Sequence, residues 1–127
     1  MSATFKGSCT SGGGIACNAN TAVTWSGGPP ASTDSIVVFV YCTTAVDDFT
    51  GVTDSAGNTY TQDYSYLYAS AGHAVYRAAS ISGAPSWIRI GKTTTSNICF
   101  VASAYAGLST GAIESATQYT EGGNTVS

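Results

Sequence analysis

Charge is scarce in this sequence. Asp, Glu, Lys and Arg together make up 9% of the 127 residues, against about 25% in an average soluble domain. Leucine is nearly missing as well, represented by Leu67 and Leu108 alone. Exposed helices are built from Glu, Lys, Gln, Arg, Ala and Leu, so these shortages argue against a helical fold. The basic residues are Lys6, Arg77, Arg89 and Lys92, on a chain of net charge −3. Four cations cannot form a phosphate-neutralising stripe, so neither nucleic acid nor an anionic membrane surface is expected as a partner. Long apolar runs are also lacking. The longest, Ile36 to Cys42, is far too short to span a bilayer as a helix. The N-terminal Met1 to Cys9 stretch has no apolar stretch of the secretory kind. The expectation is synthesis in the cytoplasm, with retention there or release by a route such as cell lysis.

Catalytic side chains are equally thin. The single histidine, His73, has no Asp or Glu beside it in sequence, and no nucleophile-elbow motif supports a triad. The seven carboxylates fall mostly in turn-like segments, with no marked pair of the glycosidase kind. Gly12-Gly13-Gly14 lacks the flanking pattern of a phosphate-binding loop. We therefore expect no enzymatic activity and no cofactor. The one acidic cluster, Asp47, Asp48 and Asp54, leaves two options open: a calcium-binding loop or a solvated turn. The four cysteines, Cys9, Cys17, Cys42 and Cys99, fit no zinc spacing. Cys9 and Cys17 bracket a Gly-rich loop and are expected to close it as a disulfide in an oxidising medium, worth about 2–4 kcal/mol. The other option is four buried thiols packing as small apolar residues.

What is present is Thr, Ser, Val, Ile, Tyr and fifteen glycines, the composition of short strands joined by tight turns. Alternating or β-branched runs predict strands over 3–9, 20–25, 35–42, 59–68, 73–79, 86–92 and 97–105, with 47–53 leading into a turn. The 59–68 strand carries a possible interruption near Asp63, and Asp54-Ser55-Ala56-Gly57-Asn58 reads as the turn before it. Ser35 to Cys42 is apolar on both faces and belongs centrally in a sheet. Strands at about ten-residue intervals define an antiparallel β-sandwich, jelly-roll or immunoglobulin-like, of about seven to eight strands. One domain is expected over 1–107, with 108–127 as a C-terminal strand or extended arm.

The aromatic residues offer the best candidate contact surface. Tyr64, Tyr66 and Tyr68 alternate with Ser65 and Leu67, so a strand turns all three to one face. Tyr60 joins them if the strand is unbroken. That face is either core or a surface that meets another surface. Trp87 and Arg89 alternate with Ile88 and Ile90, and an exposed Trp87 beside Arg89 would make a second contact patch.

Four stretches then stand in a recognisable order: Ser35-Ile-Val-Val-Phe-Val-Tyr41, Val52-Thr-Asp-Ser-Ala-Gly-Asn-Thr-Tyr60, His73-Ala-Val-Tyr-Arg-Ala78 and Cys99-Phe-Val-Ala-Ser-Ala-Tyr-Ala-Gly107. Over 35–107 the chain resembles a β-sandwich domain of tailed-phage structural proteins, found also in some bacterial surface proteins. The resemblance implies a non-enzymatic virion protein, most of all a capsid decoration (cement) protein. Such a protein binds the major capsid protein or another virion protein on the outer shell, forms a homo-oligomer there and reinforces capsomer contacts. Longer relatives continue past the Tyr105-Ala-Gly107 position through further strands. Here the tail carries Ile113 and Tyr119, which are expected to add a strand to a neighbour's sheet edge. The alternative function is a carbohydrate-binding or adhesive module that uses its Trp and Tyr faces against sugar rings.

Overall fold

The computed structural model describes residues 4–10, 17–18, 20–25, 30–42, 49–68, 71–93, 97–107, 119–121 and 124–126. For 9–10, 17–18, 67–68, 97, 119–121 and 124–126 it describes the backbone alone. The strands are β1 (Thr4–Thr10), β2 (Cys17–Asn18), β3 (Ala22–Thr24), β4 (Ser35–Cys42), β5 (Phe49–Asp54), β6 (Thr61–Tyr68), β7 (Ala71–Ala78), β8 (Trp87–Lys92), β9 (Asn97–Ala106), β10 (Tyr119–Glu121) and β11 (Asn124–Val126). Every pairing is antiparallel. The large sheet has the order β1-β9-β4-β7-β6, with β2 also on β9, and the small sheet has the order β3-β8-β5. The chain is an all-β sandwich of these two sheets.

Sequence order explains little of that strand order. β6 and β7 are hairpin neighbours, whereas the steps β3 to β4, β4 to β5, β5 to β6, β7 to β8 and β8 to β9 each pass from one sheet to the other. Periodicity reports which way a side chain points. It does not report which strand lies alongside.

The core forms where the two inner faces meet. Ile36, Val38 and Val40 of β4, Ala74, Tyr76 and Ala78 of β7, and Ile98, Phe100, Ala102 and Ala104 of β9 face Val52, Ile88 and Ile90 of the small sheet. Register alternates bulk with space: Ile36 lies beside Ala104 and Ala78, and Val38 beside Ala102. The alanines admit the fully buried Ile88 and the nearly buried Ile90 from the opposite sheet. Asn20, at φ 65°, prolongs β3 with its side chain. Its Nδ2 donates to Lys92 O at 2.9 Å and its Oδ1 accepts from Lys92 N at 3.0 Å.

The turn from β5 into β6 is built on a buried carboxylate. Asp54 Oδ1 accepts from the Ala56 and Asn58 amides at 2.9 and 3.1 Å. Its Oδ2 accepts from Asn58 Nδ2 at 2.9 Å and from the Tyr60 hydroxyl at 2.8 Å. Gly57 supplies the positive φ of 75° that the turn needs. Asp54 thus serves its own turn. Asp47 and Asp48, the other members of the acidic cluster, lie outside the described residues.

The condition set for Tyr60 is not met: a bulge between Gln62 and Tyr64 shifts the register, and Tyr60 packs against the core instead of joining the tyrosine stripe. The backbones of Cys9 and Cys17 pair with β9 opposite Ala102 and Ile98; their side chains, and with them the expected Cys9–Cys17 bridge, lie outside what the structure describes. Of the C-terminal segment, β10 pairs with β11 as a short two-stranded unit, and Ile113 lies outside the described residues.

Candidate functional site

The outer face of the large sheet is the candidate site, and its rows follow from the register. One row runs Val101, Phe39, Val75, Tyr64 across β9, β4, β7 and β6. The next runs Cys99, Tyr41, His73, Tyr66. Beyond the first row lie Ser103, Val37, Arg77 and Thr61, and then Phe5 beside Tyr105. The four large hydrophobics that stand out as exposed, Phe5 (58%), Phe39 (43%), Tyr41 (39%) and Val101 (38%), all belong to this face. Scattered single exposures are ordinary; four on one sheet face form a patch.

His73 holds the middle of the patch together. Its ring lies 5.8 Å from Phe39 and 5.6 Å from Tyr64, with interplanar angles of 28° and 29°. Tyr66 lies 5.7 Å away, tilted by 39°. At these separations near-parallel rings turn their faces toward one another and leave edges and hydroxyls outward. Phe5 and Tyr105 meet edge to face at 5.8 Å. Among the described residues His73 has ring partners and no carboxylate partner.

Charge in the central rows of this face is a neutralised pair. The bulge at the start of β6 brings Asp63 against Arg77: Nε to Oδ2 is 2.8 Å and Nη2 to Oδ1 is 3.3 Å. Both side chains are largely covered, at 12% and 8% exposure. The hydrogen bond that Arg77 donates to Asp63 holds its guanidinium above its ordinary value, with the neighbouring charge adding to it. Such a pair is a fork-to-fork contact with no free charge to offer a partner.

The expected contact residues divide between two sides of the molecule. Tyr64 and Tyr66 lie on the outer face of the large sheet, and the register puts Tyr68 at the same parity, opposite Ala71. Trp87 and Arg89 lie on the outer face of the small sheet, because Ile88 and Ile90 take the inner one. They are therefore not one surface with the tyrosines. The Arg89 guanidinium sits 5.8 Å over the Trp87 ring and donates from Nε to Thr53 Oγ1 at 3.2 Å. Tyr119 opens β10, whose side chains are not described.

Phe5, Phe39, Tyr41, Val101 and Tyr105 are additions that sequence reasoning missed. A run apolar on both faces reads as buried on both faces, so β4 concealed its exposed Phe39 and Tyr41. The available signal was their size. Aromatic rings at alternate positions of a strand whose other positions are Val and Ile indicate two faces with different neighbours.

Other places offer less chemistry. A depression of about 230 Å³ beside the 54–58 turn is lined by Asn58, Thr59, Ser80, Ser82 and neighbours, none of them titratable. Lys92 is buried on the inner side, with Nζ 3.9 Å from Cys42 Sγ and 5.6 Å from the Phe49 ring centre. Among the described residues no three His, Cys, Asp or Glu side chains gather as ligands for an ion. Comparison with protein-family models, with curated proteins and with solved structures returns no match.

Proposed function

We propose that this chain is a non-enzymatic structural protein of a virion surface, a decoration or cement protein. In this reading it docks on the outer shell through the aromatic face of its large sheet. The observation that carries the docking reading is the gathering of Phe5, Phe39, Tyr41 and Val101, all exposed, on one uncleft face. A wide sheet surface whose central ionic pair, Arg77 and Asp63, is self-neutralised suits another protein surface, where aromatic anchors supply most of the affinity. The virion assignment and the major capsid protein as partner rest on the sequence resemblance over 35–107.

The glycan reading is the weaker one on geometric grounds. A sugar platform needs an open ring face. Phe39, Tyr64 and Tyr66 turn toward His73, and Arg89 lies over Trp87.

The test is co-sedimentation with tailed-phage particles. Wild-type protein is expected to pellet stoichiometrically and to give regular density on the shell in electron micrographs. Phe39→Ser combined with Val101→Ser should weaken docking by at least roughly tenfold, about 1.4 kcal/mol or more, while Trp87→Ala leaves it unchanged. Loss of docking with Trp87→Ala alone would reject the large-sheet face. Glycan-array binding without particle binding would transfer the reading to the adhesive module.

A further inference from the structure

We propose that the depression between residues 57–59 and 78–82 is a binding site for a neutral polyhydroxylated ring, of the size and chemistry of one sugar residue. It includes none of the residues of the aromatic face or of the Trp87–Arg89 patch. The inference is therefore independent of what the aromatic face docks to.

The site exists because two neighbouring segments part between two clasps. At one end β6 pairs with β7 as far as Thr61 opposite Arg77. At the other, Asn58 donates from Nδ2 to Gly83 O at 3.0 Å, and its Oδ1 accepts from Ser82 N at 3.0 Å. Between these clasps the chain after Ala78 is drawn away to the start of β4. Ser80 N donates to Ser35 Oγ at 3.2 Å, Ile81 N to Asp34 O at 2.8 Å, and Thr33 N back to Ile81 O at 2.8 Å. Both walls are thus held by bonds outside the gap, and a ligand meets a shape already made.

The lining selects the ligand. None of its residues is ionisable, so a charged molecule finds no counter-charge there. Ala78 and Ile81 are buried and apolar. Thr59, Ser80 and Ser82 bring hydroxyls, each able to donate and to accept, and stand exposed at the mouth. A sugar ring offers the same mixture in return, apolar C–H faces rimmed by hydroxyls of both senses. The volume of about 230 Å³ lies below the roughly 300–1,000 Å³ of sites for drug-sized ligands, which suits one ring.

Ser80 indicates that the hydroxyls are used. Its φ of 50° is a left-handed conformation that penalises any residue with a Cβ and leaves glycine untouched. The chain places glycine at such angles at Gly51, Gly57 and Gly107, yet serine stands at 80. Its amide is bonded to Ser35, while its hydroxyl has no partner among the described residues. Thr33, at φ 75°, braces the same wall from behind. Strain gathered at one pocket wall, with an unengaged hydroxyl on it, is the pattern of a binding site.

Amide resonance spectra of the isotope-labelled full chain, titrated with glucose, galactose, mannose and N-acetylglucosamine at millimolar concentration, test this. At least one sugar should shift the signals of Thr59 and of Ala79 to Ser82 saturably, leaving Phe39 and Trp87 unmoved. Ser80→Gly removes the hydroxyl and relieves the backbone. It should bind that sugar at least roughly tenfold more weakly with its melting temperature kept or raised, a split that a residue serving only its turn would not give. Thr59→Val keeps the shape without the hydroxyl and should weaken binding likewise. No saturable shift with any of the four sugars, shifts centred on Trp87 or on the aromatic face, or either variant binding as wild type does would each overturn the proposal.

Discussion

Asp54 shows how much of this fold depends on single polar side chains. A carboxylate with 7% exposure accepts four hydrogen bonds, two from backbone amides, one from Asn58 and one from Tyr60. Asn58 passes the tie on, donating to Gly83 O at 3.0 Å and accepting from Ser82 N at 3.0 Å. Asp54→Ala leaves those donors without their acceptor and should destabilise the domain by about 3 kcal/mol, read as a lower denaturant midpoint at unchanged slope. Tyr76 makes a second prediction. Burial raises its phenol above the ordinary value near 10, and its hydroxyl donates to Gln62 Oε1 at 2.9 Å. A group whose folded value is raised contributes stability that is fully present below the unfolded value, near pH 10. That contribution is lost as pH rises through the folded one. Melting temperature should therefore fall above about pH 10, and less steeply in Tyr76→Phe. The Asp54 turn was legible in the sequence as a turn. Its internal satisfaction was not, because a carboxylate reads alike whether it binds an ion or its own backbone. The stretch Val52 to Tyr60 that contributes to the phage resemblance is employed in this same turn.

At the scale of elements, composition and turn residues located seven of the eight main strands to within about two residues of their observed ends, β5 being the one not read as a strand. β4 spans the predicted Ser35 to Cys42, and the suspected interruption near Asp63 is the observed bulge. β2 and the separate hairpin of β10 with β11 were not foreseen, because two or three residues carry no period; the expectation over 108–127 was a strand or an extended arm. The bulge in β5 is a further place where sequence spoke only faintly. Gly51 adopts φ 123° there, and a Cβ on Gly91 across the pair would collide with the Thr50 hydroxyl. Gly91→Ala should cost about 1–3 kcal/mol, through displacement of the Thr50 side chain. A matching loss of thermal stability, with the β-sheet spectrum retained, is the expected readout. A neutral substitution would show that Thr50 swings aside freely.

For the whole molecule, what could not be read was partnership, both between strands and between faces. The chain brings β4 between β9 and β7, pairings that depend on residues far apart in sequence, and strand period carries no information about them. The functional consequence is an asymmetric sandwich. One outer face bears Phe39, Tyr41 and Val101 around His73, and the other bears Thr53, Ser55, Ser86 and Arg89, interlinked by hydrogen bonds. Because Arg77 and Asp63 neutralise each other within the aromatic face, docking through it should be nearly insensitive to ionic strength. Charge-driven association falls steeply with salt. Particle binding measured from low to high salt tests this, and a steep decline would point to a charged surface elsewhere.

The placement of the two indoles has an optical consequence. Trp25 continues β3, with its amide bonded to Ser86 O at 2.8 Å, and Trp87 begins β8. Both belong to the small-sheet half of the molecule, away from the aromatic rows. Their emission should follow unfolding closely and remain nearly silent when the protein binds through its other side. Tyrosine absorbance and emission, from Tyr41, Tyr64 and Tyr66, should respond to binding instead. Two intrinsic chromophores thus divide the work: one reports whether the chain is folded, the other whether it is engaged.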